Sequence, residues 1–264
     1  MLLVGAGKMG SALLGGWLDR GTPATDVHVV EPDARARAEI ARTGVAASAD
    51  ASGLPAGLDP QTIVFAVKPQ SMDAVVPAYA RFASAALFVS IAAGKTIAYF
   101  EGHLGRHAAI VRVMPNTPAA VGRGISVLVA NASTTAAQRD HAEALLNAVG
   151  ETAWIEDESL MDAVTALSGS GPAYVFLLVE CMAAAGEAVG LEPALAMRLA
   201  RATVIGSGEL MRQSSDGAAV LRKNVTSPGG TTEAALKVLM GKSGLEALMK
   251  RAIRAAEKRG RELA

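Results

Sequence analysis

The apolar run Leu2–Val4 turns directly into Gly5-Ala6-Gly7-Lys8-Met9-Gly10 and then into a helical stretch, Ser11–Arg20. Glycines at this spacing between a strand and a helix constrain the chain more than any other feature. They predict a parallel βαβ unit that holds a dinucleotide pyrophosphate at the helix start. Gly5 permits the tight turn, Gly7 lets the pyrophosphate approach the backbone, and Gly10 lets the helix lie against the strand. The strand itself is short, since only Met1–Val4 precede the turn.

Further apolar runs at Val27–Val30, Ile63–Val67, Leu87–Ala92 and Ile110–Val113 alternate with helical stretches, the pattern of a parallel sheet with crossover helices. Ile125–Val129 and Thr152–Ile155 bracket a helix from Thr135 to Val149 and extend that sheet. From about Ser159 only helical patterns remain, at Ala173–Val189, Pro193–Gln213 and Leu245–Leu263, broken by Gly190 and the loop Asn224–Gly230. The expected fold is therefore α/β: an N-terminal Rossmann-type parallel-sheet domain over residues 1–157, then an all-α domain over residues 158–264. At 264 residues and 51% apolar content the chain can fill such cores.

Lys+Arg and Asp+Glu both number 25, so no net field gathers nucleic acid or an anionic membrane, and a small-molecule substrate is expected. The longest apolar stretch, Ala173 to Gly186, is interrupted by Glu180 and falls short of the roughly 20 residues that span a bilayer. No basic leader precedes the first strand and Cys181 is the only cysteine, which fits a reducing cytoplasm. Cys181 is expected to be an inert core thiol at mid-helix. His28, His103, His107 and His141 are scattered without metal-type pairing, and no metal is expected.

The second strand ends at Glu31, where an acid binds the ribose 2′-hydroxyl of NAD. Arg35 and Arg37 follow and are suited to a 2′-phosphate, so the cofactor stays open between NADPH and NADH. Two loops leave strand ends, where open α/β sheets hold ligands: Ala66-Val67-Lys68-Pro69-Gln70 and Val113-Met114-Pro115-Asn116-Thr117-Pro118. Lys68 is placed for a cofactor phosphate or ribose, and the Asn116 amide for the nicotinamide edge or the substrate. In Thr165-Ala166-Leu167-Ser168-Gly169-Ser170-Gly171-Pro172-Ala173-Tyr174, a helix is expected to begin near Ser170 with free N–H groups that hold a small polar ligand.

With Ser90-Ile91-Ala92-Ala93-Gly94, Ala163-Val164-Thr165 and Val225-Thr226-Ser227-Pro228-Gly229-Gly230-Thr231-Thr232 added to these motifs, the chain resembles the pyrroline-5-carboxylate reductases nearly end to end. The resemblance implies reduction of L-1-pyrroline-5-carboxylate to L-proline by NADPH or NADH, the last step of proline biosynthesis. It implies a helical domain that interlocks with a second subunit, giving a homodimer or a larger assembly of dimers with a shared active site. It places Gly5, Gly7, Lys8, Met9, Gly10, Glu31, Ala66, Val67, Lys68, Pro69, Ala92 and Asn116 at the cofactor, and Thr165 beside the ring nitrogen as the catalytic hydroxyl. Asn116, Ser170, Ser227, Gly229, Gly230, Thr231 and Thr232 fall to the substrate, whose carboxylate the Gly-Gly turn and the Thr232 hydroxyl hold without an arginine. The small-residue stretch Ala183-Ala184-Ala185-Gly186 becomes a dimer seam. Where many members carry an asparagine against the adenine-side ribose this chain has Asp50, and Glu31 replaces a small polar residue of NADPH-preferring members.

A hydroxyacid dehydrogenase of the 3-hydroxyisobutyrate or 6-phosphogluconate type shares the glycine turn and a helical second domain. It needs a catalytic lysine on a helix of that domain, and Tyr174–Val189 contains none. A dinucleotide sensor without catalysis has no use for the hydroxyls of Thr165, Ser170 and Thr232.

Overall fold

Strand β1 (Leu2–Val4) has hydrogen-bonded neighbours on both sides, β2 (His28–Val30) and β4 (Thr62–Phe65), both parallel to it. The other strands are β3 (Ala46–Ser48), β5 (Leu87–Ser90), β6 (Ala109–Met114), β7 (Gly124–Ala130) and β8 (Gly150–Trp154), in the sheet order β3-β2-β1-β4-β5-β6-β7-β8. This is a computed structural model, and it describes residues 1–263. The pairing departs from the expected all-parallel sheet at one place: β7 runs antiparallel to β6, because the short connection 115–123 has no room for a crossover helix. Strand β3 was not expected, since three small residues at a sheet edge carry no periodic apolar signal.

The central strands are buried on both faces, and alternate residues divide between two cores. Leu2, Val4, Ile63, Phe65, Phe88 and Ile110 face one side, where the Phe65 ring lies within 6.0 Å of the Tyr79, Phe88 and Phe100 rings. Leu3, Val29, Val64, Leu87, Val89 and Val111 face the other, against Leu13 and Trp17 of helix α1 (Lys8–Asp19) and Leu146 of a later helix. The Trp17 indole donates to the Leu145 carbonyl at 2.9 Å, which satisfies its one polar atom in the core.

The remaining helices are α2 (Ala34–Ala41), α3 (Met72–Val75), α4 (Ile97–Leu104), α5 (Ala136–Asn147), α6 (Met161–Val164), α7 (Gly171–Ala188), α8 (Pro193–Gln213), α9 (Ala218–Asn224), α10 (Thr231–Leu239) and α11 (Leu245–Leu263). Thr135 opens α5 with a reciprocal capping box to Gln138. Two units separate by their internal contacts, Met1–Ser170 with residues from Glu257 on, and Gly171–Ala256.

A helix does begin beside Ser170: α7 opens at Gly171, as expected. A π-helical turn, Thr165–Gly169, follows α6 directly, and the Ser170 N–H donates to the Thr165 carbonyl at 2.8 Å. The Ser170 N–H is thus engaged by the preceding turn and not free for a ligand, and helical structure lies on both sides of it over Glu158–Ala188. That run of 31 residues is long and apolar enough to cross a membrane by length and composition, which the shorter estimate Ala173 to Gly186 missed.

In the second unit α7 and α8 pack against each other through small residues. Ala183, Ala196 and Ala200 are buried, and a Cβ added at Gly186 would lie 3.2 Å from Ala196 Cβ. Part of the stretch assigned to a dimer seam is thus used within the chain. Cys181 is exposed, not in a core, because the apolar side of α7 has no cover from its own chain: Phe176 is 63% exposed and Leu177 56%.

Candidate functional site

Strands β2 and β3 lie to one side of β1, and β4 and β5 to the other, so the chain reverses its direction of travel across the sheet at β1. A crevice opens at the carboxyl ends of the strands at such a reversal. Here it is a cavity of about 770 Å³ walled by Val4, Gly5 and Gly7 after β1, Val30 and Glu31 after β2, Asp50 and Ser52 after β3, and Ala66, Val67 and Lys68 after β4.

The three glycines of the turn have different reasons to lack a side chain. Gly5 has φ +93°, and a Cβ there would lie 2.7 Å from Val67 Cγ1; at Gly10 a Cβ would lie 2.3 Å from the Gly5 carbonyl oxygen. Both are packing constraints. A Cβ at Gly7 would meet nothing within 4 Å, so the space over it is open, and Gly7 begins α1 without a side-chain cap. Unpaired N–H groups at an uncapped helix start, facing open space, fit a pyrophosphate. The cavity volume and the acid at its rim fit the rest of a nicotinamide dinucleotide.

Glu31 is held in place by the turn itself. Its Oε2 accepts the Ala6 N–H at 2.8 Å and its Oε1 the Asp33 N–H at 3.0 Å. The Asp50 carboxylate caps its own loop: the Ser52 hydroxyl, then the Ser52 and Gly53 N–H groups, hold it below the usual carboxylate range. Tyr79, also on the wall, is pushed up to about 12 by burial and stays neutral. Among the wall residues Lys68 is the only base.

The structure gathers Gly5, Gly7, Glu31, Ala66, Val67 and Lys68 around the cavity, while Lys8, Met9, Gly10, Pro69, Ala92 and Asn116 are not on its walls. Sequence reasoning did not single out Ser52, Ser71 or Tyr79, which follow no motif and reach the cavity from the edge strand and from the segment 69–82. Asn116 has a structural task. Its Oδ1 accepts the Ile125 N–H at 3.0 Å and its Nδ2 donates to the Ser168 carbonyl at 3.3 Å, tying the proline loop to the π-helical turn. In that turn the Thr165 hydroxyl donates to the Met161 carbonyl at 2.8 Å.

Ser227, Gly229, Gly230, Thr231 and Thr232 belong to the second unit. Gly229 has φ +72° and donates its N–H to Glu233 Oε2 at 2.8 Å, while the Gly230 N–H bonds the Ser227 carbonyl at 3.0 Å. The two glycine N–H groups expected to grip an anion are therefore engaged by the turn. Helix α10 carries no side-chain cap, so the N–H groups of its first turn, those of Thr231 and Thr232 among them, have no capping side chain.

An open glycine cradle at the reversal point of a doubly wound sheet defines a dinucleotide-dependent oxidoreductase of Rossmann type. Residues 158–263 match the family described as pyrroline-5-carboxylate reductase dimerisation, and residues 1–94 match the NADP oxidoreductase, coenzyme F420-dependent family. The pyrroline-5-carboxylate reductase of Pseudomonas aeruginosa is 45% identical over 99% of this chain and 95% of its own length, and that of Synechocystis 37% identical over 99% and 97%. Among solved structures, a pyrroline-5-carboxylate reductase from Coxiella burnetii superposes with a TM-score of 0.93 at 34% identity, covering 100% of this chain and 97% of that one. The Plasmodium falciparum enzyme, solved with NADP bound, superposes at 0.82 and 30% identity, covering 99% and 97%. The chain belongs to the pyrroline-5-carboxylate reductase family.

Proposed function

We propose that this chain reduces L-1-pyrroline-5-carboxylate to L-proline with NADPH or NADH, closing proline biosynthesis. The observation that carries the reading is the coincidence of an open dinucleotide cradle with family likeness over 99% of the chain. When bound, the reduced nicotinamide supplies the hydride that turns the C=N carbon into C–H.

The chain's own residues bind and orient. The Thr165 hydroxyl already donates to the Met161 carbonyl, so it presents a lone pair outward and accepts from a ring N–H. That arrangement favours the protonated imine, the more electrophilic form, and requires no strong acid nearby. The N–H groups of Thr231 and Thr232, the Thr232 hydroxyl and the Ser227 hydroxyl hold the carboxylate, with Gly229 and Gly230 shaping the turn. Ser170 binds the substrate beside Thr165. Lys8, Met9, Gly10, Pro69 and Ala92 flank the dinucleotide, and Asn116 orients the turn that carries Thr165. Positioning supplies most of the rate.

Exposed apolar side chains on the helical unit, with Phe176 63% and Ile205 66% exposed, support a homodimer or larger assembly over a membrane-bound state. Equal numbers of acids and bases speak for a small-molecule partner, not nucleic acid, and the sole cysteine for a cytoplasmic location. The test is coenzyme oxidation and proline formation measured together on addition of pyrroline-5-carboxylate. Equal amounts are expected; no proline with either coenzyme overturns the reading.

A further inference from the structure

We infer that Glu31 makes this chain selective for NADH over NADPH, by presenting a fixed carboxylate to the ribose at the point where NADPH carries a phosphate. The inference rests on the coenzyme reading above and deepens it.

Glu31 directly follows β2 and stands on the wall of the cavity beside the glycine turn. Its carboxylate cannot swing aside cheaply, because the Ala6 N–H holds Oε2 at 2.8 Å and the Asp33 N–H holds Oε1 at 3.0 Å. An ionised carboxylate accepts about four hydrogen bonds, so each oxygen keeps capacity for one more. Two such acceptors side by side match the vicinal hydroxyls of a ribose. A 2′-phosphate, at roughly −1.5 to −2 charge near neutral pH by analogy with other phosphomonoesters, would instead meet a like charge that is pinned in place.

The cations nearest that repulsion are already engaged or placed apart from it, although the Arg37 charge reaches Asp50 on the same wall and lowers its pKa. Arg37 directs Nη1 to the Glu31 and Pro32 carbonyls, both at 2.7 Å, and so braces the strand end. Arg35 has its side chain 89% exposed and pairs with Glu39 at 3.4 Å on the outer face of α2. Lys68 follows β4, on the opposite side of β1 from β2. The Asp50 carboxylate adds a second negative charge to the same cavity wall. Selectivity for NADPH in this fold calls for a guanidinium fork free to clasp the phosphate.

The experiment is calorimetric titration of the full chain with NADH and with NADPH, without substrate, for the wild type and for Glu31→Gln, Glu31→Ser and Arg37→Gln. The wild type should bind NADH about tenfold or more tightly than NADPH, equivalent to about 1.4 kcal/mol. Glu31→Gln keeps the length and an acceptor for one N–H while removing the charge, so it survives even where the serine variant fails to fold. It should narrow the ratio about tenfold, chiefly through tighter NADPH binding. Arg37→Gln should leave the ratio unchanged. NADPH binding as tight as NADH in the wild type, an unmoved ratio in Glu31→Gln, or selective loss of NADPH in Arg37→Gln each overturns the role of Glu31. Those outcomes with reductase turnover intact leave the proposed function standing, whereas failure to bind either coenzyme overturns both.

Discussion

The Arg112 guanidinium, its side chain only 5% exposed, meets the Glu158 carboxylate at 2.7 Å, and the same Glu158 oxygen accepts the Ile97 N–H at 2.8 Å. One carboxylate thus neutralises a charge on β6 and caps the first turn of α4, where an anion also suits the helix dipole. Breaking such a pair from one side strands a buried charge. Glu158→Ala should destabilise the protein by about 3 kcal/mol, and adding Arg112→Met should return a large part of the loss. Urea unfolding midpoints of the two variants provide the check, and a double variant weaker than the single would refute the stranded-charge account.

Gly7 and Gly10 should respond oppositely to alanine. At Gly10 the new Cβ is driven into the Gly5 carbonyl, so Gly10→Ala should cost about 1–3 kcal/mol through overpacking. At Gly7 it enters open space, so Gly7→Ala should keep its unfolding midpoint within about 0.5 kcal/mol. Yet it should weaken dinucleotide binding about tenfold or more, since the methyl occupies the phosphate's approach. Equilibrium unfolding and coenzyme titration on both variants separate packing from recognition.

Thr232→Ala should raise KM for pyrroline-5-carboxylate with little change in kcat, because the lost hydrogen bond to a carboxylate is made in ground and transition states alike. A charge-assisted bond is worth about 1.5–3 kcal/mol, or roughly ten- to a hundredfold in KM. Steady-state kinetics decide; an unchanged KM removes Thr232 from the carboxylate site.

Phe176 offers the most direct probe of assembly. At 63% exposure on an apolar helix it should lie in a contact between copies, so Phe176→Asp should shift the mass seen by light scattering towards a single chain. Helicity by circular dichroism should persist. An unaltered mass would place the contact elsewhere.

Stability should also follow two histidines. Burial, helped by the N-terminal charge, lowers the pKa of both His28 and His141, so the native state favours their neutral forms. Between the lowered native value and the ordinary value the unfolded chain binds more protons, hence stability is complete above about pH 6.5 and declines as pH falls. Unfolding midpoints taken from about pH 7.5 down to 5.5 should drop less steeply in His28→Gln than in the wild type.

What could be read from the order of residues was whatever depends on near neighbours. The Gly5–Gly10 turn, the buried strands around Ile63 and Leu87, and the limits of Pro193–Gln213 all follow from local spacing and were anticipated. The Arg112–Glu158 pair spans 46 positions and has no local signature, so it emerged only in three dimensions. Ser170 was legible in part. Gly171 and Pro172 do open a helix, as their local pattern indicates, but the π-helical turn Thr165–Gly169 before them has no local signature and takes up the Ser170 N–H. Cys181 misled because an apolar run implies cover without saying which molecule supplies it.

The position of β1 between β2 and β4 has a kinetic corollary. Leu2–Val4 are synthesised before both of their flanking partners, and one of these, Thr62–Phe65, follows only some sixty residues later. Ala66 and Val67, on which the Gly5 bend rests, arrive later still. A nascent chain that stops short of them has the glycine signature but no seat for it, so coenzyme cannot chaperone the earliest stage of folding and can only reward a sheet that has already closed around its first strand.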